Sequence, residues 1–181
     1  RETRDGAVAE RPGWGNVEAA FSTNPARRLY ADLGVYAKNT WRGVLVEAGG
    51  TILARPLPFF ELSLGPSVQR VTGDPRWVDR IDGPGTSRTY LFGLQDALAL
   101  GATLRTTISF TPSVTLTAYA QLFLASVEYG EMFESGQNGA RPSIGLSARG
   151  PSAADPRDYA SREAVLNVNL VLRWEYRPGS V

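Results

Sequence analysis

The chain has 181 residues, enough for one domain, and its 19 basic and 18 acidic side chains leave a formal net charge of +1; that balance gives nucleic acid no electrostatic footing. With neither cysteine nor histidine, disulfides, thiolate zinc sites, cysteine nucleophiles and the commonest general base and metal ligand are all excluded. No apolar run approaches the roughly 20 residues of a membrane helix, so a place in a membrane would have to be taken by strands.

The dominant period along the chain is two, the period of a strand with unlike faces, and helical spacing is weak. A short strand over residues 14–23 sets Val17, Ala19 and Phe21 on one side. Next, Leu29, Ala31, Leu33, Val35 and Ala37 oppose Arg28, Tyr30, Asp32, Tyr36 and Lys38. Residues 41–54 alternate less cleanly, with Val44, Val46, Ala48, Ile52 and Ala54 as the apolar set. Phe60, Leu62, Leu64 and Val68 oppose Glu61, Ser63, Ser67 and Gln69. Residues 88–110 read either as one long strand, kinked or bulged at "LQDA", or as two strands joined by a hairpin at Gln95–Ala97, with Leu98, Leu100, Ala102, Leu104, Ile108 and Phe110 opposite Thr103, Arg105, Thr107 and Ser109. In residues 114–129, Val114, Leu116, Ala118, Ala120, Leu122 and Leu124 oppose Thr115, Thr117, Tyr119, Gln121 and Phe123. The last strand puts Ala164, Leu166, Val168, Leu170, Leu172, Trp174 and Tyr176 against Asn167, Asn169, Arg173 and Glu175. That makes about seven strands and an all-β fold.

Several of these strands exceed ten residues, whereas soluble strands run about five or six and membrane-barrel strands need about 9 to 11. If residues 88–110 are one strand, tight proline-containing connections at "TNPAR", "RPLPF", "FTPSV" and "YRPGS" alternate with the others, as short periplasmic turns alternate with longer external loops in outer-membrane barrels, whereas a hairpin at Gln95–Ala97 breaks that alternation. Phe59, Phe60, Phe110, Trp174 and Tyr176 lie near the proline turns, and Trp41, Tyr90 and Tyr129 near the opposite ends; two such belts are what membrane interfaces select. The sequence therefore predicts long antiparallel strands forming part of a transmembrane outer-membrane β-barrel. Residues 1–181 would make a single barrel segment, with long external-type loops near 71–87 and 130–162. The alternative is a soluble β-sandwich binding or interaction domain.

The stretch "TLRTTISFTPSVTLTAYAQLFLAS" (103–126), with "NVNLVLRWEYRPGS" (167–180) after a long loop, resembles the barrel portion of a large family of bacterial outer-membrane proteins of unknown function. "ELSLGPSVQR" (61–70) agrees more loosely. In that family the barrel follows a periplasmic domain similar to family-9 carbohydrate-binding modules. The resemblance implies a C-terminal part of such a barrel in the bacterial outer membrane, with outer-membrane lipid and the remaining strands of the same barrel as partners. It also implies a connection with the transport, binding or surface handling of carbohydrate.

On the polar faces the candidate ligand-binding residues are Arg105, Gln121, Asn167, Asn169, Arg173 and Glu175, which in a barrel would line the lumen and meet carbohydrate or another small polar solute. The simpler reading is a set of cross-strand ion pairs and amides that stiffen the sheet. Glu47 and Glu61 would serve glycoside hydrolysis only at a defined separation, which sequence does not give. Asp74, Asp79 and Asp82 share their segment with Arg76 and Arg80, which oppose a cation, and their spacing is not that of an EF-hand. No phosphate loop or dinucleotide fingerprint is present. The expectation is a non-catalytic chain without metal or cofactor.

Overall fold

The computed structural model describes residues 8–9, 13–40, 42–82, 88–138 and 143–176. Trp41 and the proline turn at 177–180 lie outside the described residues. The alternating pattern forms β1 (Val8–Ala9), β2 (Asn16–Ser22), β3 (Leu29–Asn39), β4 (Val44–Leu57), β5 (Phe60–Asp82), β6 (Arg88–Thr111), β7 (Val114–Asn138), β8 (Ser143–Pro151) and β9 (Ser161–Trp174). A 3₁₀ turn, Pro156–Tyr159, precedes β9, capped by the Asp155 side chain, which accepts from the Arg157 N–H at 2.9 Å.

Strands β2 to β7 pair with their sequence neighbours in antiparallel order. The first half of β7, residues 114–127, then pairs with β9, while residues 133–138 pair with β8. Short β1 lies parallel to β8. Among the described residues β2 has only β3 as partner and β9 only β7, so the sheet is all-β but open.

Proline fixes the hairpins at one end. Pro58 and Phe59 alone join β4 to β5, closing on the pair Leu57 and Phe60, and Pro112 and Ser113 join β6 to β7 beside Thr111 and Val114; proline's fixed φ suits the first inner position of a turn. In the "TNPAR" turn the Asn24 side chain accepts from the Ala26 N–H at 2.9 Å, a local turn bond that competes with the ladder. A proline also interrupts the sheet. Pro66 of β5 has no N–H to give β4, and the ladder between those strands skips from Gly49 and Ser67 to Ile52 and Leu64. Gly50 fills that gap at φ 157°, where an added Cβ would collide with the Asp32 carbonyl oxygen.

Continuous register assigns the two faces. One row across the sheet is Ala31, Ile52, Leu64, Leu104, Ala120 and Val168, and all the residues in line with it along the strands share that apolar face. Among the described residues nothing covers it: Leu64, Val68, Leu100 and Leu104 are 37–43% exposed, and on edge strand β9 Leu166, Val168 and Leu170 are 66–71% exposed.

The segments expected as long loops are largely strand. β5 continues through Asp82, β7 reaches Asn138, and β8 occupies much of the remainder. Bulges concealed this in the sequence. Gly73, at φ 68°, and Val78 are extra residues in β5, and Gly130 and Glu131 of β7 together oppose Leu94, so the alternation changes phase at each site. The kink expected at "LQDA" is therefore in the neighbours of β6, which itself runs unbroken through Arg88–Thr111.

This upper extension holds the buried residues. Phe92 and Phe133 stack at 5.7 Å beside Tyr90, with Trp77 and Leu94 packed against them. Asp74 is buried and ion-paired to Arg76 at 3.2 Å; Arg76 also donates from Nε to Gln95 at 3.2 Å. Burial pushes the nearby Tyr129 phenol above its ordinary pKa, opposed by the charge of Arg76.

Candidate functional site

The polar face gathers four of the six candidate ligand residues. Its central row runs Tyr30, Leu53, Ser63, Arg105, Tyr119 and Asn169. The next row on that face contains Gly65, Thr103, Gln121 and Asn167. Arg105, Gln121, Asn167 and Asn169 are thus a patch two rows deep, set by the registers of β6, β7 and β9. Arg173 opposes Thr115, four positions from Asn169, or about 13 Å along the strand. Glu175 lies beyond β9, where its backbone N–H donates to Ser113 at 2.8 Å. These two belong to the rim and not to the patch.

Side-chain contacts tie the patch together. The guanidinium carbon of Arg105 lies 5.7 Å from the centre of the Tyr119 ring, a cation–π distance. The Tyr119 hydroxyl donates to Gln121 Oε1 at 3.1 Å, which fixes both side chains on the face. Beside them an open groove of about 600 Å³ is lined by Glu61, Arg105, Thr107, Thr117, Tyr119 and Asn169, with Val171 at its margin. Glu61 is held from outside by Arg55, whose Nε is 2.8 Å from its carboxylate. A second hollow, of about 560 Å³, opens among Ala19, Phe21, Leu33, Val35, Ala48 and Val68 on the apolar side and offers a polar solute little to bond.

Tyr119, Thr107, Thr117 and Glu61 were absent from the candidate set. Each has the parity of the polar face in its own strand, but only cross-strand register shows that Glu61 of β5 and Asn169 of β9 border one groove. Register likewise separates the two glutamates weighed for hydrolysis. Glu47 faces Gln69, its hydrogen-bond donor, and Gln69 is eight positions along β5 from Glu61, about 26 Å at the rise of a strand. A glycosidase pair stands within about 10 Å. Asp74 and Asp82 are ion-paired with Arg76 and Arg80, and no metal-ligating cluster of three or more side chains occurs among the described residues.

The aromatic candidates divide by end. Phe59, Phe110, Trp174 and Tyr176 are exposed at the proline-turn end, Trp174 and Tyr176 edge to face at 6.4 Å, and Phe60 is half-buried beside them in the first position of β5. At the other end the expectation needs correction. Tyr129 pairs with Gln95 on the polar face, its ring over the bare Cα of Gly93, and Tyr90 is buried in the extension. Tyr129 has the parity of Tyr119 and Gln121 in β7, whereas Tyr90 has the parity of Leu98 and Leu100 in β6 but lies within the buried cluster, so neither joins an outward belt. Trp41 lies outside the described residues.

A charged row replaces that belt on the apolar side. Arg70 reaches Asp96 at 2.6 Å and Arg162 reaches Glu128 at 3.1 Å, with Asp96 and Glu128 directly opposite one another. These four residues keep the parity of Leu98 and Leu124, and below them the apolar face of β5, β6, β7 and β9 carries no charge as far as the proline turns. No helix among the described residues is long and apolar enough to cross a membrane, which leaves strands out of account. No protein-family model, no curated protein and no solved structure matches the chain, so the family resemblance stands on its motifs alone.

Proposed function

We propose that this chain is a non-catalytic segment of a bacterial outer-membrane β-barrel, its apolar face against lipid and its polar face lining an aqueous lumen. In the intact protein it would serve the transport, binding or surface handling of carbohydrate or another polar solute. The carbohydrate connection rests on the motif resemblance; the lipid and lumen assignments rest on the two faces.

One observation carries the reading: an uncovered apolar face of limited height, bounded by charge above and aromatics below. On β9 the uncharged outward series runs from Ala164 to Trp174, ten residue steps. At about 3.3 Å per step that is roughly 33 Å of strand, and at a tilt near 40° it projects to about 25 Å, the height of the apolar band of outer-membrane barrels. Water-soluble proteins rarely expose so large an apolar surface, and a sandwich would bury this face against a second sheet. In lipid an unpaired strand edge is costly, so β2 and β9 would pair with the remaining strands of the same barrel.

The test is solubility of the intact chain. We expect a strand-rich fold only in detergent micelles or lipid vesicles; a folded monomer in detergent-free buffer, by ultracentrifugation and circular dichroism, would end the proposal.

A further inference from the structure

We propose that the groove beside Arg105 binds the carboxylate or phosphate group of a small anionic solute, an inference that deepens the lumen reading and rests on it. The charged residues lining the groove are Glu61 and Arg105. Glu61 is already paired with Arg55 at 2.8 Å. Arg105 has Ser63 and Tyr119 as its cross-strand neighbours and Asn169 next in the row, and no carboxylate partner among the described residues; its contact is the ring of Tyr119. Counting Arg55, Glu61 and Arg105 as +1, −1 and +1 leaves one positive charge at the groove.

Chemistry narrows the ligand further. A guanidinium on an aromatic face keeps its N–H fork available, and that fork matches the paired oxygens of carboxylate or phosphate. Because Gln121 holds the Tyr119 hydroxyl at 3.1 Å, the ring is set in place beneath it before any ligand arrives. Thr107 and Thr117 hydroxyls and the Asn169 amide border the same space and can donate to the remaining oxygens. A cation would be repelled, and a neutral solute would leave the charge unused.

The full chain, refolded in detergent, is titrated calorimetrically with inorganic phosphate and separately with acetate at fixed ionic strength. At least one anion should bind at a single site. Arg105→Ala should weaken it by about tenfold or more, as expected for loss of a charge-assisted fork. Arg105→Lys should weaken it less, and Glu61→Gln should tighten it. If Arg105→Ala does not refold, Arg105→Lys carries the comparison and must still weaken binding. Equal affinity in wild type and the Arg105 variants, or no binding of either anion, overturns the proposal. The two readings fail separately: a chain that folds without detergent yet loses phosphate with Arg105 removes the lumen and keeps the anion site. A detergent-dependent chain whose phosphate binding ignores Arg105 does the reverse.

Discussion

The same three strands, β5, β6 and β7, pass through two regions built on opposite rules. In the lower region the leucines of one face are uncovered and that face carries no charge. In the upper region Tyr90, Phe92 and Phe133 are fully buried, and the ion pairs Asp74–Arg76 and Asp82–Arg80 decorate the strands. The change occurs where Arg70, Asp96, Glu128 and Arg162 cross the apolar side, beside the bulges at Gly73 and at Gly130 and Glu131. Hydrophobic side chains hide where the surroundings are water and need not hide where they are hydrocarbon. One sheet that does both is what the proposed barrel segment, with one solvent above the charged row and another below it, would require.

The strongest attack on the upper rule is Phe92→Ala, which removes a ring stacked on Phe133 and buried completely. Loss of a buried phenylalanine costs about 3–5 kcal/mol. Hydrogen exchange should show the loss in residues 88–96 and 128–138, with the amides of 98–108 keeping their protection. A uniform loss along β6 would mean that the two regions are one cooperative core.

The lower rule is tested by charge on either face of one strand. Leu170→Arg places a cation on the apolar face at mid-band and should cost about 2–4 kcal/mol in lipid, while Asn169→Arg, its neighbour on the polar face, should cost much less. Denaturant unfolding of both variants in the same vesicles gives the comparison directly. Equal costs would show that the faces do not meet different solvents.

A smaller effect is expected within the lower region, at the gap in the β4–β5 ladder. Gly50→Ala puts a Cβ against the Asp32 carbonyl across from Pro66, a backbone collision that the strand can relieve only by moving. The expected loss is about 1–3 kcal/mol, the ordinary range for such steric substitutions. A neutral result in thermal unfolding would mean that β4 has room to flatten there.

Much of this was legible in the amino-acid pattern. Val17, Ala19 and Phe21, or Leu166, Val168 and Leu170, announce their common face by period alone, and Pro58 and Pro112 mark their turns. The extension was hidden because each bulge adds one residue and reverses the phase, so that Trp77 and Phe92 share a face although Trp77 is out of phase with Val68 in its own strand. The candidate groove was half legible: parity placed Arg105, Gln121 and Asn169 on polar faces, but no single strand carries the information that Glu61 lies near them. Trp174 and Tyr176 were readable at the rim because Pro178 stands just after them in the sequence, whereas Tyr129 has no such marker beside it.

The finest test concerns the boundary itself. Asp96 and Glu128 face one another across β6 and β7, a repulsive pair offset by Arg70 on one side and Arg162 on the other. All four side chains are about half exposed or more. If the row lies in water or among head groups, Arg70→Ala should cost no more than about 1 kcal/mol and Arg162→Ala only a few tenths, because exposed ion pairs are weak. Both losses should shrink as salt rises toward about 1 M, where the screening length falls to roughly 3 Å. Were the row inside hydrocarbon, removing either arginine would strand a carboxylate at a cost of about 3–5 kcal/mol, with little response to salt. If the barrel reading holds, the salt dependence of these two variants would therefore place the row relative to the hydrocarbon, independently of any assumed strand tilt.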